Sequence, residues 1–144
     1  MIWNLNPIAA QIGPLQVRWY GLIYVVDFFL VQFLGWKIWQ KNNPNTKHIS
    51  QNIWDEFCFY GFLFGILGGR LGEFLFYNPS VFWTNPIQIF KIWEGGMSIH
   101  GGFLGAIAAL IFLAKKNKIS AFKIFDAMAI PMSAALGFGR IANY

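Results

Sequence analysis

The stretch that decides the fold is residues 57–77, FCFYGFLFGILGGRLGEFLFY. Its 21 positions hold two charged residues, Arg70 and Glu73, and a helix needs about 20 mostly apolar residues to cross a bilayer. Three more apolar stretches flank it, at about 19–36, 97–114 and 122–143. The sequence therefore predicts an all-α fold, a polytopic membrane helix bundle. We expect about four transmembrane helices in a single integral membrane domain over residues 1–144.

The composition of the chain excludes most soluble classes of protein. Of its 144 residues, 56% are hydrophobic and 12% are charged, whereas a soluble domain carries about 25% charged residues. The net charge of +5 comes from basic residues beside apolar runs, without the basic patch of a nucleic-acid surface. We therefore expect the lipid bilayer as a partner and no nucleic acid. The single cysteine, Cys58, excludes a disulfide scaffold.

The distribution of basic residues predicts the topology. The loop after the second span has one basic residue, Lys91, and the loops after the first and third spans have more: Lys37, Lys41 and Lys47, and Lys115, Lys116, Lys118 and Lys123. By the positive-inside rule these two loops are cytoplasmic, and the N-terminus lies on the outer side. All seven tryptophans lie at or beyond the ends of apolar runs, as in an aromatic belt at the two interfaces. Because His48 and His100 then lie on opposite sides, we expect no metal site and no cofactor.

Polar residues concentrate in the outer half of the predicted bundle. Ionisable groups at membrane depth are costly and are therefore functional candidates. A guanidinium group suits bidentate binding of phosphate, and the commonest phosphate at this depth is that of a lipid headgroup. His100 can transfer a proton near neutral pH, and the helix N-terminus beside it can attract an anion. The pattern indicates phospholipid chemistry at the outer leaflet. The residues of this layer are Tyr20, Arg70, Tyr77, Asn78, His100, Arg140 and Asn143.

The same residues also allow structural roles. Arg70 and Glu73 share one helix stripe and could form an ion pair, and Asp27 is expected to be buried in the bundle. Asp126 is expected to cap the start of the fourth span. Small-xxx-small spacing is typical of tight helix packing, and it relates Gly61, Gly65, Gly68, Gly69 and Gly72, and also Gly101 and Gly105. Two other functions stay open, a small transporter or channel subunit and a non-catalytic membrane assembly partner.

Several motifs occur in a characteristic order along the chain. They are VRWYGLIY at 17–24, GGRLG at 68–72, FYN at 76–78, WEGGMSIHGGFLG at 93–105 and GRIAN at 139–143. Together they resemble the N-terminal half of the prolipoprotein diacylglyceryl transferase family. The resemblance implies a bacterial inner-membrane enzyme with about seven spans and an active site towards the outer leaflet.

The resemblance also implies a reaction and the residues that perform it. The diacylglyceryl group of phosphatidylglycerol moves to the lipobox cysteine thiol of a preprolipoprotein and glycerol phosphate is released, the first step of lipoprotein maturation. His100, Arg140 and Tyr20 are implied to be catalytic, and Arg140 and Asn143 to hold substrate. From their place in the outer layer or in the His-Gly-Gly motif, we add as substrate-binding residues Arg70, Tyr77, Asn78, Gly101 and Gly102.

Two positions depart from the family pattern. The position of Asp27 is usually small and apolar, and that of Glu73 is not usually acidic.

Family members continue beyond the motif at 139–143 with three further spans and another functional arginine. We therefore expect the chain to be truncated at its C-terminus.

Overall fold

The computed structural model describes residues 8–12, 15–45, 49–91 and 96–142. Within these residues the chain forms a β-hairpin followed by five α-helices. The elements are β1 (Ile8–Ile12), β2 (Leu15–Arg18), α1 (Trp19–Asn42), α2 (Gln51–Gly72), α3 (Pro79–Thr84), α4 (Ile99–Lys116) and α5 (Ala121–Ala142). A turn of π-helix, Glu73–Tyr77, continues α2, and a 3-10 turn, Pro86–Phe90, follows α3.

Among the described residues, four helices are long and apolar enough to cross a membrane: Gly21–Asn42, Gln51–Tyr77, Ile99–Lys116 and Ala121–Arg140. They overlap the four predicted spans, and the prediction of a helical, polytopic membrane protein is confirmed. The helix α1 continues past Trp36 to Asn42, because lysine and glutamine favour helix even where they end an apolar run. The antiparallel hairpin, in which Ile12 pairs with Leu15 and Ala10 with Val17, was not predicted.

The chain forms two compact units. The first takes in the described residues of Met1–Trp54 and Phe122–Tyr144, and so contains the hairpin, α1 and α5. The second takes in those of Asp55–Ala121, from most of α2 to the end of α4. The single membrane domain therefore stays a prediction.

Tryptophan side chains pack together in the first unit. Trp54 is 0% exposed, and its ring centroid lies 6.3 Å from that of Trp36 and 6.0 Å from that of Trp39. Its Nε1–H donates to the carbonyl of Gln32 at 3.0 Å. A Cβ on Gly35 would lie 2.6 Å from Cζ2 of Trp54, so glycine leaves room for the ring. The rings of Trp54 and Trp39 are thus buried against other parts of the protein. Their predicted place at the depth of a membrane interface stays a prediction.

Two contacts show that α1 and α5 run antiparallel in this unit. Pro131 lies inside α5, and proline has no N–H to donate to the carbonyl four residues earlier. That carbonyl, of Ala127, lies 3.6 Å from the place of a Cβ on Gly35 of α1. At the other end of α5, a Cβ on Gly139 would lie 4.0 Å from the hydroxyl oxygen of Tyr24.

The turn after α4 fixes where α5 begins. The backbone N–H and the side-chain amide of Asn117 both donate to the carbonyl of Leu113, at 3.0 and 2.9 Å. Lys118 follows with a φ of 55°. The helix α5 starts soon afterwards, at Ala121, which places Asp126 in its second turn. The prediction that Asp126 caps this helix is therefore wrong, since a capping residue precedes the first turn.

The second unit is built on a backbone-to-backbone contact between α2 and α4. A Cβ on Gly101 would meet the carbonyl oxygen of Gly68 and would lie 2.8 Å from Cα of Gly72. A Cβ on Gly105 would meet the carbonyl oxygen of Phe64. The predicted packing role of the glycine ridges is confirmed. Their close approach also brings the start of α4 against the last turn of α2.

Candidate functional site

His100 is the second residue of α4, and its side chain is exposed. The start of this helix is secured by Ser98, which is 2% exposed. The Ser98 hydroxyl accepts a hydrogen bond from the N–H of Gly101 at 3.3 Å, and the Ser98 N–H donates to the carbonyl of Gly69 at 2.9 Å. His100 thus lies in the first turn of a helix whose start is capped by Ser98 and hydrogen-bonded to α2.

Ser98 was not among the predicted site residues. The signal that could have found it is local, because serine immediately before an apolar helical run is a preferred N-cap. Its second hydrogen bond, to Gly69, depends on the pairing of α2 with α4, so no local sequence pattern predicts it.

Arg70 is buried, at 3% exposed, in the last turn of α2. Its guanidinium carbon lies 5.1 Å from the ring centroid of Phe74. Within the described part of the segment between α3 and α4, the group donates to four backbone carbonyls. They are those of Gln88 (2.8 Å, from Nη2), Ile89 (3.2 Å, from Nε), Lys91 (2.6 Å, from Nη2) and Gly96 (2.8 Å, from Nη1).

These bonds give Arg70 a role that the sequence did not predict. A guanidinium group has five N–H donors, and at least four of the five are engaged by these carbonyls. Arg70 therefore supports the connection that leads to His100. Its predicted contact with a substrate phosphate stays a prediction.

Tyr77 and Asn78 lie where α2 and its π-helical turn end, and both side chains are exposed. The side-chain amide of Asn78 donates to Oε1 of Glu73 at 3.1 Å, and its backbone N–H donates to the carbonyl of Glu73 at 3.1 Å. The Glu73 side chain also borders Gly96, whose φ is 77°. The acidic residue at position 73 thus helps to close the turn, and the predicted substrate contacts of Tyr77 and Asn78 stay predictions.

The glycines after His100 have structural partners. The N–H of Gly101 donates to the Ser98 hydroxyl, and the N–H of Gly102 donates to the Ser98 carbonyl at 2.9 Å. A Cβ on Gly102 would lie 3.3 Å from the carbonyl oxygen of Gly65. The described geometry is one of helix capping and packing, and substrate binding by Gly101 and Gly102 remains a prediction.

The remaining predicted residues belong to the first unit. Arg140 lies in the last turn of α5 and is exposed, next to the buried Gly139. Tyr20 lies in the first turn of α1, but its side chain is outside the described part of the chain, as is Asn143. His48 and the tryptophans at 3 and 93 also lie outside the described residues. The hydroxyl of Tyr24 lies beside Gly139, the residue that precedes Arg140. Tyr24 was not among the predicted site residues.

Asp27 is buried on α1, at 4% exposed, as expected. Neither of its carboxyl oxygens has a hydrogen-bond partner among the residues that the structure describes. An unsatisfied buried polar group costs about 1–3 kcal/mol. Asp27 is therefore a local source of instability in the first unit.

Two further features of the described residues concern metal binding and thiol chemistry. In the ranges 8–12, 15–45, 49–91 and 96–142, no three His, Cys, Asp or Glu side chains are grouped closely enough to hold a metal ion. The thiol of Cys58 is free and buried in α2.

Comparison with known proteins identifies the family. The family model described as prolipoprotein diacylglyceryl transferase matches residues 7–144. Three curated relatives are named phosphatidylglycerol–prolipoprotein diacylglyceryl transferase. That of Dechloromonas aromatica (strain RCB) is 44% identical over 142 residues, which cover 98% of this chain and 52% of the relative. The protein of Janthinobacterium sp. (strain Marseille) is 42% identical over 145 residues, with 96% and 52% covered.

The third relative, from Nitrosomonas europaea, is 45% identical over 142 residues, which cover 98% of this chain and 50% of the relative. The chain thus spans about half the length of the curated relatives it matches. The match takes in the motifs around Tyr20, Arg70, His100 and Arg140 in one continuous stretch. The chain belongs to the prolipoprotein diacylglyceryl transferase family.

Proposed function

We propose that the chain forms the N-terminal part of a phosphatidylglycerol–prolipoprotein diacylglyceryl transferase. The family match over residues 7–144 carries the proposal, and the names of the relatives give the two substrates. In the reaction, the lipobox cysteine sulfur forms a bond to the diacylglyceryl carbon that carries the phosphate oxygen. The bond between that carbon and that oxygen breaks. The thiol gives its proton to a base, and glycerol phosphate leaves with the electron pair of the broken bond.

His100 is the residue that we assign to the proton transfer. A free cysteine thiol has a pKa of about 8.5 and is a poor nucleophile until it loses its proton. Histidine is the side chain best suited to act as a base near neutral pH. The assignment is supported by an exposed imidazole, carried by a helix start that is capped and attached to α2.

Arg140 is the residue that we assign to the phosphate. Guanidinium groups bind phosphate oxygens in bidentate fashion, and Arg140 is exposed at the end of α5. As the C–O bond breaks, negative charge grows on the departing glycerol phosphate, and a fixed cation there lowers the barrier. Tyr20 is proposed to assist in catalysis and Asn143 to assist in substrate binding, as the family resemblance implies.

The proposed location is the bacterial inner membrane, with the site towards the outer leaflet. Four helices of membrane-spanning length support a multi-pass protein. The positive-inside rule puts the loops rich in lysine in the cytoplasm and the start of α4 on the outer side. Exported lipoprotein precursors and outer-leaflet phosphatidylglycerol would meet His100 there.

The experiment that tests this function is transfer of radiolabelled diacylglyceryl from phosphatidylglycerol to a lipobox peptide. Membranes of a host depleted of its own enzyme contain either this chain or this chain continued by the C-terminal half of the Dechloromonas aromatica relative. We expect transfer by the longer protein, and a loss of about 100-fold or more with Arg140→Ala. The control is Lys116→Gln, which removes an exposed charge at the end of α4 opposite His100. It should transfer label normally. Silence from both proteins would contradict the proposal and favour a transporter or assembly role.

A further inference from the structure

The segment that precedes His100 is attached to the last turn of α2 at two points. Arg70 donates to the carbonyl of Gly96 at 2.8 Å, and the carbonyl of Gly69 accepts from the N–H of Ser98 at 2.9 Å. Both attachments lie within four residues of His100. We propose that Arg70 is a positioning residue, which fixes the start of α4 by holding the preceding connection on α2 and so sets the place of His100. This inference rests on the proposed function of His100.

The connection has little regular structure to hold it. Among its described residues, the chain between Thr84 and Ile99 contains a single short 3-10 turn. Hydrogen bonds from outside the connection are therefore needed to fix its course. Arg70 supplies four such bonds from one planar group, at 2.6–3.2 Å.

Arginine suits this position for a geometric reason. Its donors form a rigid fork, whereas a lysine has three donors on one nitrogen. The guanidinium is also held against the ring of Phe74, so its plane is fixed relative to α2. Arg70 is 3% exposed, so water has little access to compete for its hydrogen bonds.

A positioning role and a phosphate-binding role predict different kinetics. If Arg70 holds the headgroup of phosphatidylglycerol, its loss raises the KM for that lipid. If Arg70 positions His100, its loss lowers kcat and leaves the KM for the lipid nearly unchanged, because the substrate contacts remain. A misplacement of a reacting group by about 1 Å can cost about 100-fold in rate.

The structure also offers a way to replace the bonds of Arg70 by a covalent link. A Cβ on Gly69 would lie 3.8 Å from Cβ of Met97, with no closer atom than the Ser98 carbonyl oxygen at 3.5 Å. Disulfide-bonded cysteines have Cβ atoms about 3.5–4.5 Å apart. The double substitution Gly69→Cys with Met97→Cys therefore joins the segment to α2 without the guanidinium group.

The test combines Arg70→Gln with this cysteine pair, in whichever form of the protein transfers label, with Cys58 and any other native cysteine replaced by alanine. In the reduced state we expect kcat to fall about 100-fold with an unchanged KM for phosphatidylglycerol. Oxidation, which forms the disulfide, should raise this lowered kcat by at least about tenfold. The matched control for loss of a positive charge is Lys116→Gln combined with the cysteine pair, with Arg70 retained. Its kcat and KM should be unchanged in both the reduced and the oxidised state.

Three results would overturn the proposal. They are full activity of Arg70→Gln, a raised KM that the disulfide leaves unchanged, and a lowered kcat that the disulfide leaves unchanged. If Arg70→Gln does not accumulate in membranes, Arg70→Lys is judged by the same three criteria.

A second measurement needs no transferase activity. In this chain with the cysteine pair, the rate of disulfide formation in membranes reports how well the segment is held on α2. We expect Arg70→Gln to slow it, and an unchanged rate would overturn the positioning role. Absence of label transfer by the unsubstituted protein would instead count against the proposed function, so the two failures are distinguishable.

Discussion

Replacement of Gly101 by alanine is expected to disturb the contact between α2 and α4. The added Cβ would meet the carbonyl oxygen of Gly68 and would lie 2.8 Å from Cα of Gly72. Carbon atoms pack at about 3.5–4.0 Å, so the helices must separate by about 1 Å (3.5 or 4.0 less 2.8). Both obstacles are backbone atoms, which cannot rotate away as a side chain can.

The size of the effect follows from three contributions. Overpacking of a close contact costs about 1–3 kcal/mol. Separation of the helices also weakens the hydrogen bond from Ser98 to Gly69, and such a bond contributes about 0.5–1.5 kcal/mol. Alanine offsets about 1 kcal/mol of this loss, because it favours helix over glycine. We therefore expect Gly101→Ala to lower the free energy of unfolding by about 2 kcal/mol.

The assay is reversible unfolding by SDS titration in mixed micelles, with two control variants. Gly65→Ala lies on the same interface, but its Cβ would have no neighbour closer than 3.8 Å. Gly137→Ala lies on α5, and its Cβ would have nothing within 4 Å. Both should keep or slightly raise the free energy of unfolding. Equal stability of the Gly101→Ala and Gly65→Ala proteins would refute the reasoning.

Three further predictions concern buried groups outside this contact. Asp27→Ala should raise the free energy of unfolding by about 1 kcal/mol, because it removes a buried carboxyl group without a hydrogen-bond partner among the described residues; a decrease in the same SDS titration would contradict this. Gly35→Ala should lower it by about 1–3 kcal/mol, since its Cβ would lie 2.6 Å from the ring of Trp54, whereas Gly21→Ala has nothing within 4 Å and should be neutral. Cys58→Ala should leave label transfer unchanged, because the native thiol is buried and the reacting thiol belongs to the substrate; lost transfer by a stably folded variant would give this cysteine a role in the site.

The sequence predicts those features of the fold that depend on neighbouring residues. Each spanning helix is visible because about 20 apolar residues must follow one another to cross a bilayer. The glycine ridges are visible because a spacing of three or four residues places them on one helix face. The burial of Asp27 follows from its place within an apolar span.

Other features depend on contacts that the sequence does not reveal. Arg70 donates to Gly96, which lies 26 residues along the chain, and no local pattern predicts this pairing. The burial of Trp54 against Trp36 and Trp39 was not predicted either, because it requires α1 to pack on the start of α2. The hairpin before α1 depends on pairing between two short strands and was also missed.

The two positions that are expected to depart from the family pattern differ in their hydrogen bonds. The carboxylate of Glu73 accepts a hydrogen bond from Asn78 at the end of α2. Asp27 has no such partner among the described residues. We therefore expect substitution at position 73 to disturb the turn that precedes α3. Substitution at position 27 is expected to remove the cost of a buried carboxyl group without a hydrogen-bond partner.

The most direct test of the account replaces His100 by asparagine and measures the transfer of labelled diacylglyceryl to a lipobox peptide. His48→Asn, which changes the other histidine of the chain, is the matched control. We expect His100→Asn to lower transfer by at least about 100-fold, because proton transfer by a positioned side chain contributes about 100- to 10,000-fold. We expect His48→Asn to transfer label normally. Full transfer by a stably folded His100→Asn protein would contradict the assignment of the start of α4 as the reacting site.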